Sequence, residues 1–144
     1  MRRSWLAILL VLLGACTGPV RSTNVYESKA GATAAAVASA VETARLAVNA
    51  GSQDKAFGRY LAQVLAEAEE DADAAQGTFD AIQPPDGHAD ELRDQLDGLL
   101  GQATDTLAEL RIAARRGDTA ELAGPAAALA ELADRLHTFA EAYA

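Results

Sequence analysis

Leu92-Arg93-Asp94-Gln95-Leu96-Asp97-Gly98-Leu99-Leu100-Gly101-Gln102-Ala103-Thr104-Asp105-Thr106-Leu107-Ala108-Glu109-Leu110 decides the fold. Leu92, Leu96, Leu99, Leu100, Ala103, Leu107 and Leu110 recur at steps of three and four, which is one face of a 3.6-residue helix and not the two-residue alternation of a strand. Asp86 to Ala89 reads as the opening turn. Arg111, Arg115 and Arg116 fall in the last turns, where cations complement the partial negative charge of the carbonyl end. Gly117 then breaks the pattern, so a helix is predicted over about 87–116.

Three further helices follow by working outward. Asp118-Thr119-Ala120-Glu121 resembles a capping box. Beyond it Leu122, Leu129, Leu136 and Tyr143 repeat every seven residues, with Leu132 and Phe139 between them, which predicts a helix over about 119–143. Pro125, preceded by Gly124, is expected to kink it or break its first turn. Upstream, Phe57, Leu61, Val64, Ala68, Ala75, Phe79 and Ile82 predict a helix over about 54–82, with Tyr60 and Leu65 at the edges of its face and Ser52 or Asp54 as its cap. Pro84-Pro85 ends it, because proline lacks an amide proton and restricts the residue before it. Val37, Val41, Ala44 and Val48 predict the first helix, over about 25–49. Its stripe is thin, so a three-helix core with a loosely attached arm is the competing arrangement. Gly58, Gly98 and Gly101 fall inside helices and are expected to mark close helix contacts. Four amphipathic helices joined by short turns predict an all-α, up-down-up-down four-helix bundle over 25–144.

The first 24 residues have a different character. Met1-Arg2-Arg3 is basic, and the nine residues from Trp5 to Leu13 are apolar. Gly14 and Ala15 are small, which completes the layout of a secretory signal peptide. A bilayer-spanning helix needs roughly 20 apolar residues, so a cleaved signal is the better reading. Leu13-Gly14-Ala15-Cys16 resembles the lipobox of bacterial lipoproteins. That resemblance implies cleavage between Ala15 and Cys16, diacylglycerol on the Cys16 thiol and an N-acyl chain on the new terminus. It also implies a lipid-anchored protein on the extracytoplasmic face of a cell membrane. Residues 1–15 would then be the signal and 16–24 a lipidated cysteine with a flexible tether. Two acyl chains suffice for stable anchoring where one does not.

Removal of residues 1–15 would leave 129 residues, a usual single-domain size, with ten lysines and arginines against 21 acidic residues. A surface with that balance repels phosphate backbones, so nucleic acid is not an expected partner. Cys16 is the one cysteine, so no disulfide and no cysteine-based metal site can form within the chain.

Candidate chemistry is sparse. Asp134, His137 and Glu141 stand at i, i+3 and i+7, a spacing that can present metal ligands along one stripe if another helix adds to them. Solvated residues on an outer face are the plainer reading, and no metal or other cofactor beyond the lipid is expected. His88 and Glu91 form His-x-x-Glu after Gly87. This is a near miss to the Gly-x-His-x-x-Glu signature of imelysin-like helical envelope proteins, with the glycine one position off, and Asp86-Gly87-His88 reads more simply as a turn and cap. Glu67, Glu69, Glu70, Asp71 and Asp73 crowd one helix and suit a basic partner or open solvent. No nucleophile elbow, phosphate loop or haem motif occurs, so an enzyme is not expected. The leading expectation is an envelope interaction or scaffolding module, and the alternative is a ligand or metal binder with a site between helices.

Overall fold

The computed structural model describes residues 22–51, 58–118 and 120–144. The regular structure there is four helices: α1 (Thr23–Gly51), α2 (Gly58–Asp80), α3 (Gly87–Arg116) and α4 (Ala123–Ala142). They form an up-down-up-down four-helix bundle. Gly31 near the start of α1 lies against Ala140 and Tyr143 at the end of α4, and Tyr26 of α1 stacks at 5.2 Å on Phe79 near the end of α2. Among these helices none is long and apolar enough to cross a membrane.

The leucine face that predicted α3 is its core face, with Leu92, Leu96, Leu100, Leu107 and Leu110 almost wholly buried. Each such side chain contributes roughly 1.5–3 kcal/mol relative to exposure. Local chemistry sets both ends of this helix. The Asp86 carboxylate accepts from the Ala89 amide at 2.9 Å, which satisfies one of the orphan donors of the first turn. Gly117 takes a left-handed conformation (φ 70°), and the Gly117 and Asp118 amides donate to the carbonyls of Ala114 and Ala113, a Schellman ending.

α1 is not a loose arm. It packs against all three other helices, while α2 and α4 stand at opposite corners of the bundle. Ten of its residues are buried, among them Tyr26, Ala30, Ala34 and Ala38 in addition to the four of the expected stripe. Small side chains are the reason: they bring neighbouring axes together on several sides at once, toward the short end of the 8–10 Å range. A Cβ added to Gly31 would stand 2.6 Å from the Tyr143 carbonyl oxygen, so among the described glycines this one, and not those expected, marks a close approach to a neighbouring segment. At Gly58, Gly98 and Gly101 an added Cβ meets nothing within 4 Å.

Boundaries shift in three places. α1 starts at Thr23, so Thr23 and Asn24 belong to the helix and not to the tether. α2 ends at Asp80, with the Ile82 amide donating to the Phe79 carbonyl in the turn that follows. Its core face is centred on Leu65, which is fully buried, while Tyr60 is exposed. Ser52, Asp54 and Phe57 lie outside the described residues. α4 starts at Ala123, so Pro125 sits in its first turn, where backbone amides have no intrahelical partner and a missing N–H costs little. The Asp118 carboxylate accepts from the Ala120 and Glu121 amides in the turn ahead.

Candidate functional site

The residues singled out by spacing are not brought together. Asp134, His137 and Glu141 all lie on the exposed face of α4. Among the described residues no group of three or more histidines, cysteines or carboxylates is placed to hold a metal ion. Ala15 and Cys16 lie outside the described residues. His88 Nε2 stands 3.4 Å from Glu27 Oε1 across the α1–α3 pair, an ion pair only when the imidazole is protonated, and Glu91 is exposed beside it.

The densest polar assembly gathers where α1 begins, α2 ends and α3 begins. The Thr23 hydroxyl donates to Asp86 Oδ2 at 2.5 Å, which ties the first turn of α1 to the cap of α3. That hydrogen bond, followed by those from the backbone, holds the Asp86 carboxyl below the usual carboxylate range. Arg93 reaches from α3 to the frayed end of α2, where its guanidinium donates to the carbonyls of Asp80 (2.6 Å) and Ile82 (3.1 Å). It also lies 3.8 Å from the Asp80 carboxylate and 3.7 Å from that of Asp97. Burial, then the charge of Asp80, pushes the Asp97 carboxyl up, against the pull of Arg93. One Asp97 oxygen and the Tyr26 hydroxyl are buried without a hydrogen-bond partner, and burial pushes the Tyr26 phenol up. This assembly clamps three helix ends together.

A second cross-helix pair joins α3 to α2. Arg111 grips the Glu69 carboxylate in two-pronged fashion, with Nε donating to Oε2 and Nη2 to Oε1 (3.2 Å), and both side chains are about four-fifths buried. The hydrogen bond to Glu69 raises the guanidinium's already high pKa. Arg111 is therefore a partner of the acidic stretch on α2 rather than only a complement to its own helix dipole. Arg116 instead faces Glu121 at 3.8 Å across the α3–α4 turn.

Among the described residues the hydroxyls of Ser39, Thr43, Thr78, Thr106 and Thr138 each donate to the carbonyl one turn back. Sequence reasoning missed Tyr26, Arg93 and Gly31. Arg93 carried a signal, since it is an arginine beside a leucine face, eight residues after a helix-ending proline that leaves carbonyls to satisfy. An open groove of about 610 Å³ runs between α3 and α4, floored by Leu99 and Phe139 and rimmed by Glu131 and Asp134. The chain matches no protein-family model, no characterised protein and no solved structure.

Proposed function

We propose that the protein is a bacterial lipoprotein, held on the extracytoplasmic face of a cell membrane by lipid on Cys16, and that its bundle serves as an envelope interaction or scaffolding module. The observation that carries this reading is Leu13-Gly14-Ala15-Cys16 directly after the apolar run Trp5–Leu13. Two features are in keeping with it: the described helices include none able to cross a bilayer, and the bundle begins seven residues after Cys16. A link of that length spans at most about 25 Å when extended. It would hold the end formed by the start of α1, the Pro84-Pro85 turn and the end of α4 nearest the lipid. The far end would then stand about 45 Å further out along α3. Exposed carboxylates on α2, including Glu67, Glu70, Asp71 and Asp73, would face sideways and favour basic partners over phosphate polymers.

The test is metabolic labelling with a fatty acid, combined with intact mass after detergent extraction. The wild-type chain is expected to take up label and to lose residues 1–15, and Cys16→Ala to take up none. Label retained in Cys16→Ala, or a mature chain still starting at Met1, would overturn the reading.

A further inference from the structure

The arginines among the described residues divide in two. Arg45, Arg93, Arg111 and Arg116 each face a carboxylate, and Arg135 donates to Gln102 at 2.8 Å. Arg59 and Arg115 have neither an ion pair nor a side-chain acceptor among the described residues. These two line one cavity. It is about 340 Å³, lies between the start of α2 and the end of α3, and is walled by Gly58, Ala62, Gln63 and Ala114. In a chain with 21 acidic residues against 12 basic ones, two arginines that line one hollow without a carboxylate among its walls are a local reversal of charge. The walls explain the hollow: Ala62 and Ala114 are short and nearly buried, and the space beside Gly58 is open. The Gln63 amide nitrogen donates to Glu67 (2.9 Å), which leaves the two arginines as the charged donors among the lining residues.

The geometry points to an anion site here, with Arg59 and Arg115 gripping a phosphate group from two sides. A guanidinium presents a planar fork that matches two oxygens of an oxyanion, and a pair of them can engage an anionic phosphate group through different oxygens. The acidic remainder of the surface opposes this at long range, but salt screens beyond about 10 Å at 0.1 M, whereas contact inside the cavity is screened less. The site is at the end of the bundle opposite the start of α1 and does not depend on the lipoprotein reading. Its phosphate has two chemical sources, a free ion or a phosphodiester carried on a polymer or lipid.

The experiment is calorimetric titration of the full chain with inorganic phosphate and, separately, with a glycerol phosphodiester. One saturable site is expected. Tighter binding of inorganic phosphate identifies the free ion, and tighter binding of the diester identifies the carried group. Arg59→Gln or Arg115→Gln is expected to weaken binding about tenfold, the loss of one charge-assisted hydrogen bond. Gly58→Val keeps both charges, fills the hollow and is expected to weaken binding as well. Both arginines are exposed, so thermal melts of these variants should match the wild type. Absence of saturable binding with either probe, or binding unchanged in Arg59→Gln and Arg115→Gln, would overturn the site. Binding unchanged in Gly58→Val would overturn it as a built cavity.

Discussion

Gly31 and Gly98 look alike in the sequence, each a glycine in the middle of a helix, yet they should respond oppositely to alanine. At Gly31 the new methyl would press on the Tyr143 carbonyl, and neither backbone can yield cheaply. Gly31→Ala is expected to destabilise by about 1–3 kcal/mol, as overpacking does. At Gly98 the methyl enters open space, and alanine is the better helix former by about 1 kcal/mol, so Gly98→Ala should raise the melting temperature. Thermal denaturation of the two variants side by side checks both signs. Asp86 adds a pH dependence. Its folded-state pKa is depressed, so its contribution is fully present above the unfolded carboxylate value and is lost as pH falls through the folded one. Asp86→Ala should therefore melt below the wild type at neutral pH, and the gap should close in strong acid. A gap that persists there would mean that the carboxylate charge is not what caps α3.

Between elements, Arg93 is the most consequential side chain, because the Pro84-Pro85 stop leaves the end of α2 with carbonyls that its own helix cannot satisfy. Arg93→Ala should cost about 2 kcal/mol, from the loss of its charged hydrogen bonds to the Asp80 and Ile82 carbonyls. Arg93→Lys should recover little of this, since a point charge on a flexible stem cannot bridge two carbonyls as a planar fork does. Urea titration of the three proteins measures it. This element also shows what the sequence could and could not disclose. The leucine face of α3 was legible because large apolar side chains at helical spacing have one explanation. The clamp was not, because the side chain that closes α2 stands on another helix, and only tertiary register brings it there. The Asp134, His137 and Glu141 stripe shows the converse limit: correct spacing along one helix says nothing of what faces it, and all three lie on the exposed face of α4.

At the scale of the whole molecule, the rank of the helices inverts what hydrophobicity alone suggests. α1 has the thinnest stripe, alanine and valine with one tyrosine, yet it packs against all three other helices. Counting leucines underrates such a helix, because closeness of approach, not side-chain volume, sets how many neighbours it holds. A chain starting at Gly58 should accordingly lose cooperative unfolding, whereas residues 22–144 should melt in one transition. Calorimetry and far-ultraviolet circular dichroism on the two fragments decide between a central helix and a detachable one.

The contact between Gly31 and Tyr143 also has a bearing on folding speed. It joins the first described helix to the residue that follows the fourth, so the two sides of this contact are more than a hundred residues apart in sequence. Closing a loop of that length costs chain entropy before the contact forms, which places this seam among the non-local pairings that slow folding.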